Sequence, residues 1–204
     1  MMGMDQLAPL QHRVEAVVVP SDGPSMASPS RDTIWRQVDK RLFAVFGGGH
    51  SAHPLALSLA CMWARWSWMP LLALMLAVSW LKGPNGALLL IQCLTVLTVV
   101  QVGCKRLARR WQVERPFMVG LSPNHLEHSQ RGGFPSTHAT AMGAVVGYMA
   151  LQLPPDHPAL TGMAFIVLST GWARIYAGAH FPLDVLAGLA LGVASGTGLA
   201  AVMG

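Results

Sequence analysis

The sequence predicts an all-α fold: an integral-membrane helical bundle of about five spans, preceded by an amphipathic N-terminal helix. Three observations predict it. Hydrophobic residues make up 52% of the 204 residues and charged residues only 11%, against roughly a quarter charged in a soluble domain. So few charges cannot cover a water-facing surface, and lipid replaces water around much of the chain. The apolar residues also gather in runs of spanning length, separated by tight breaks at Pro84-Asn85-Gly86 and Pro154-Pro155-Asp156. Finally, small residues recur every four positions: Gly143 and Gly147, then Gly188, Gly192 and Gly196. In lipid such stripes let helix backbones approach closely, so these two runs are expected to pack together.

Residues 1–31 are mixed, rich in proline and serine, and lack the apolar core of a cleaved signal peptide. They read as a mobile tail ahead of one domain covering 32–204. From Thr33 to Phe46, Ile34, Val38, Leu42 and Phe46 share one helical face while Arg36, Lys40 and Arg41 take others. That pattern fits a helix lying on a membrane surface, and a soluble amphipathic helix equally. The first span covers Trp68–Leu81, with Leu55–Trp66 ahead of it apolar apart from Arg65, and Trp63, Trp66 and Trp68 resemble an interfacial belt. The others run over Ala87–Cys104, Thr137–Leu153, Leu160–Ile175 and Leu183–Met203. Cys61, Cys93 and Cys104 lie in apolar stretches without metal or disulfide spacing.

Counting sides brings the unusual residues together. The span ending at Cys104 exits into the polar loop Lys105–Gly133, and the next span starts from that loop. That span crosses away and its successor returns. The loop around Arg115, the start of the span near His138 and the turn Arg174–Asp184 therefore meet on one membrane face. Ionisable groups at spans are costly and mark function by default.

Each residue type there has a chemical use. Arginine and lysine supply fixed charge for a phosphoryl group, arginine through forked hydrogen bonds. Pro135-Ser136-Thr137 reads as the first turn of a helix, whose free N–H groups favour an anion. His138 in that turn is placed to donate a proton to a leaving oxygen. His180 and Asp184 are four apart, a spacing at which the carboxylate holds one ring nitrogen and leaves the other as nucleophile. His125 and His128 read as polar surface residues of the loop, with contact to the headgroup as the lesser alternative. His50 and His53 have no carboxylate at ligand spacing, and no metal site is expected.

These motifs resemble those of the type 2 phosphatidic acid phosphatase superfamily: K-x6-R-P, P-S-G-H and S-R-x5-H-x3-D. The third matches from Arg174 through His180 to Asp184, with Ala173 in place of serine. The second matches as Pro135-Ser136-Thr137-His138, with threonine in place of glycine. In the first, Arg115-Pro116 is present, but Ala108 stands seven before Arg115 and Lys105 three further back. Lys105, Arg109 and Arg110 are the candidates for the lysine role. The run Ala173–Val185 and the F-P-S-x-H-A-T stretch look most like bacterial undecaprenyl diphosphate phosphatases.

The resemblance implies a lipid phosphatase that needs no cofactor or metal and acts on an isoprenoid or glycerolipid phosphate, with membrane lipid and no nucleic acid as partner. It implies that His180 attacks phosphorus to give a phosphohistidine, Asp184 orients it, and His138 protonates the leaving group and then activates water. Arg115, Arg174, Ser136, Thr137 and Lys105 would hold the phosphoryl oxygens. It implies a multi-pass protein of the bacterial inner membrane with its site facing the periplasm or outside. The basic run Lys105–Arg110 would place that loop in the cytoplasm by the positive-inside rule, but phosphate-binding charges do not report topology. The alternatives are a lipid phosphotransferase, a phosphatidic acid or phosphatidylglycerophosphate phosphatase and, outside enzymes, a membrane scaffold.

Overall fold

The computed structural model describes residues 33–203, so the tail expected over 1–31 lies outside the described residues. Seven α-helices follow in order: α1 (Ile34–Phe46), α2 (Pro54–Trp66), α3 (Trp68–Leu81), α4 (Gly86–Trp111), α5 (Thr137–Gln152), α6 (Pro158–Tyr176) and α7 (Pro182–Met203). Proline opens α2, α6 and α7, where its missing N–H costs nothing and its fixed φ suits the helix. At the far end of α4, Gln112 turns into the left-handed region (φ 46°) and its N–H bonds the Ala108 carbonyl. The chain leaves the helix there and enters the loop that carries Arg115.

All five apolar segments expected from sequence are helical. By length and composition, α4 with its lead-in (Gly83–Trp111) and α7 are each able to cross a bilayer, and α2 with α3 form a third span if the pair, bent by 44°, counts as one. α5 and α6 do not meet that test. At 16 residues, α5 is about 24 Å long, short of a hydrocarbon core of about 30 Å. It is the central helix: Ala139 through Val145 are all buried.

α5 packs chiefly on α7, through the two small-residue stripes. A Cβ on Gly192 would collide with the Thr140 carbonyl oxygen, and one on Gly196 with that of Ala144. Only glycine allows this approach. On the other side of α5, Met142, Val145 and Met149 join Cys93 and Val96 of α4 and Met163 of α6 in the core. Outward-facing residues such as Ile91 and Val99 (α4), Phe165 and Leu168 (α6) and Leu186 (α7) are exposed and apolar, as a lipid-facing surface requires.

α1 buries Asp39 and Phe43 and leaves Ile34, Trp35, Val38, Val45 and Phe46 exposed. The apolar stripe read from sequence thus points away from the protein, which favours the membrane-surface form of this helix. Its inward face holds the bundle by polar contacts. Asp39 Oδ1 accepts from the Leu183 N–H at 3.0 Å and so caps the N-terminus of α7. Burial raises the Asp39 pKa, while that bond and the charge of Arg36 pull it back. Phe43 meets Phe181 edge-on, with ring centroids 5.7 Å apart.

Candidate active site

The three segments that span counting placed together do meet. Arg115 leaves the loop after α4 and reaches the turn between α6 and α7. Its Nη1 donates to the Ala179 carbonyl at 2.9 Å and lies 3.2 Å from His180 Nε2. Its other nitrogens are tied down: Nε donates to the Arg131 carbonyl at 2.9 Å and Nη2 to that of Gly132 at 3.3 Å. The guanidinium therefore holds a fixed plane beside His180. Arg36 of α1 fixes the same region from outside, donating to the Glu114 carbonyl at 2.8 Å and lying over the Phe181 ring at 4.7 Å.

The second guanidinium comes from the last turn of α6. Arg174 is buried, and its Nη2 lies 3.5 Å from His180 Nε2 and 2.9 Å from His128 Nε2. His180 itself is 1% exposed. Burial, then the charges of Arg174 and Arg115, push its pKa well below the ordinary imidazole value. A neutral ring with Nε2 between two guanidiniums has the chemistry to attack an anion that the two cations hold.

Asp184 sits in the first turn of α7. Its Oδ2 accepts from the Phe181 N–H at 2.9 Å and lies 3.7 Å from His180 Nδ1. That second distance is within ion-pair reach but too long for a hydrogen bond. Nδ1 has no other partner. Catalytic hydrogen bonds of this kind tighten in the substrate complex.

The N-terminus of α5 lies against this turn, with the Ser136 N–H donating to the Asp184 carbonyl at 3.0 Å. Ser136 is fully buried and its hydroxyl is unpartnered, leaving it available to an anion. His138, one residue past Thr137, faces a different space: an apolar cavity of about 280 Å³ formed with Trp68, Leu71 and Met75 of α3 and Leu94 and Leu97 of α4.

Lys105 and Arg109 lie one turn apart on α4 and share with Arg115, Arg131 and Thr137 a polar cavity of about 600 Å³. Arg110 does not line it. α4 runs unbroken to Trp111, so Lys105 and Arg109 are both carried on one regular helix. The sequence reading of His128 as a polar loop residue needs correction. Asn124 folds the loop back, with Nδ2 donating to the His128 carbonyl at 2.8 Å and Oδ1 accepting its N–H at 2.9 Å. This delivers the ring to Arg174, 6.3 Å from the His180 ring. No spacing rule marks it. The signal available was that a histidine lay in the loop joining two motifs. Among the described residues, no three His, Cys, Asp or Glu side chains are arranged to hold a metal ion.

The chain is similar to known proteins of one family. Residues 85–204 match the PAP2 superfamily. The chain is 30% identical over 155 residues to the Escherichia coli (strain K12) protein named "Putative undecaprenyl-diphosphatase YbjG", a match covering 74% of this chain and 76% of that one. The fold is shared with the PAP2-type phosphatidylglycerolphosphate phosphatase of Bacillus subtilis, at a TM-score of 0.62 and 20% identity over 83% of this chain and 86% of that one. It is shared also with Aquifex aeolicus LpxE, at a TM-score of 0.61 and 22% identity over 79% and 94%. The chain thus belongs to the PAP2 superfamily, a family of membrane phosphatases that hydrolyse lipid phosphates.

Proposed function

We propose that this protein removes the terminal phosphate of a lipid diphosphate, undecaprenyl diphosphate, through a phosphohistidine at His180. The observation that carries the reading is His180 Nε2, set 3.2 Å from Arg115 and 3.5 Å from Arg174 with Asp184 behind the other ring nitrogen. The Nε2 lone pair attacks phosphorus, and the bond to the bridging oxygen breaks with its electron pair going to undecaprenyl phosphate. His138 gives that oxygen a proton. Water then attacks phosphorus as His138 takes its proton, and the phosphorus–nitrogen bond breaks with its electron pair returning to Nε2 as inorganic phosphate leaves. Arg115, Arg174, the Ser136 hydroxyl and the first N–H groups of α5 hold the equatorial oxygens, where charge spreads in the transition state.

The surroundings of His138 support a lipid leaving group. The apolar cavity beside it would take the first isoprene units of the chain, while the cationic cavity at Lys105 and Arg109 faces the headgroup side. The name of the Escherichia coli relative favours the diphosphate carrier over a glycerolipid. With that substrate, the site faces the periplasm or the outside of an inner membrane.

The test is purified protein on a panel of undecaprenyl diphosphate, phosphatidic acid and phosphatidylglycerophosphate, with released phosphate measured in the absence of any acceptor lipid. The reading predicts the highest kcat/KM on the diphosphate. Preference for a glycerolipid monophosphate would overturn the substrate assignment, and phosphate release that depends on an acceptor would make the protein a phosphotransferase.

A further inference from the structure

Arg174 is a buried cation with no carboxylate within ion-pairing distance among the described residues. Its Nε is unpartnered, and Nη1 reaches the Ala64 carbonyl only at 3.5 Å. The short bond of this guanidinium is the 2.9 Å contact with His128. A guanidinium nitrogen only donates, so His128 Nε2 presents its lone pair and the ring proton sits on Nδ1. Burial and the charges of Arg174, Arg115 and Arg65 hold the His128 pKa down to about 4, in keeping with a neutral acceptor. The two Asn124 hydrogen bonds fix the backbone from which the ring projects.

The same Nη2 also lies 3.5 Å from His180 Nε2. Nη2 carries two N–H groups and can serve both imidazole lone pairs, and the short, directed bond goes to His128. We propose that His128 is a positioning residue: it fixes the Arg174 guanidinium so that it stands aimed at a phosphoryl oxygen instead of closing on His180 Nε2, which Arg115 Nη1 already approaches at 3.2 Å. Without that acceptor, Arg174 closes on His180 as a second cationic donor beside Arg115. The lone pair that must attack phosphorus is then held by two cationic donors instead of by Arg115 alone. The inference rests on the proposed roles of His180 and Arg174.

The test compares His128→Gln, His128→Asn and His128→Leu in the full chain in detergent. The substrate is farnesyl diphosphate, or dioleoyl phosphatidic acid if the wild type prefers a monoester. Glutamine carries its carbonyl oxygen to the distance of Nε2, whereas asparagine, equally polar, reaches only to that of Nδ1. The asparagine and leucine variants are expected to lose kcat by roughly 10- to 100-fold, with KM little changed, as when a partner that orients a catalytic group is removed. Glutamine is expected to recover most of that loss. Glutamine as impaired as asparagine, or all three at wild-type rate, overturns the proposal. If the leucine variant does not fold, the glutamine–asparagine pair still decides. Turnover surviving in His180→Ala would instead remove the nucleophile reading, a failure distinct from any outcome at His128.

Discussion

At the scale of single residues, Lys105 and Arg109 are the basic pair that the structure places beside Arg115. Both line the cavity that holds Arg115, and Arg110 does not. Removing one preorganised donor costs on the order of 2–4 kcal/mol of transition-state stabilisation. Alanine at Lys105 or Arg109 is expected to lower kcat/KM by that order, and alanine at Arg110 to have little effect. Comparable kcat/KM for all three variants would contradict the assignment. The histidines make a second prediction, about stability. His128 and His180 both have lowered pKa values in the folded protein, so below the ordinary value of 6.5 the unfolded chain binds protons that the folded one refuses. Stability is then fully present above pH 6.5 and falls as pH drops, over the window from 6.5 to about 4 for His128. Thermal unfolding in detergent from pH 8 to 5 is expected to show a declining Tm below 6.5, with a shallower decline in His128→Gln. A Tm that rises on acidification in that window would contradict buried neutral histidines. Arg115, Arg174, His180 and Asp184 were legible in the sequence because fixed spacing marks them. His128 was not, because its position depends on how a loop folds back on Asn124, and loops carry no period to read.

Among the elements, α1 shows how much an amphipathic pattern leaves unsaid. The apolar stripe from Ile34 to Phe46 was visible, but the contact that matters to the site is made by the charged side. Asp39 caps α7 across 144 positions of sequence, and Arg36 braces Glu114 and Phe181. A lone carboxylate among basic residues gives no sign of such a distant partner. Losing a capping acceptor costs about 0.5–2 kcal/mol, and Asp39→Ala is expected to lower stability by that amount. Asp39→Asn keeps an acceptor oxygen and removes the cost of burying a charge, so it should lose much less. Equal losses for the two variants, measured by thermal unfolding, would show that the carboxylate charge rather than the cap holds α1. The α5–α7 interface was more legible, because fourfold glycine spacing translates directly into backbone contact.

For the whole molecule, composition and span order were enough to foresee a helical bundle in which the segments carrying Arg115, Ser136, Arg174 and Asp184 meet at one end. They did not foresee that α5, the shortest of the helices after α4, would be enclosed by its neighbours instead of facing lipid. The bundle supplies its phosphate-binding charge from side chains, so hydrolysis is expected to persist in excess EDTA. Loss of activity in chelator, restored by one divalent ion, would require a metal step that the proposed mechanism lacks. The central claim is covalent attack by His180, and the most direct measurement is to trap its product. Substrate labelled with ³²P in the terminal phosphate is mixed with enzyme and quenched in alkali within one turnover. The account predicts an acid-labile, alkali-stable label on the peptide containing His180, absent from His180→Ala. A wild-type enzyme that turns over with no label on that peptide, beside a His180→Ala variant that still hydrolyses the lipid, would contradict it.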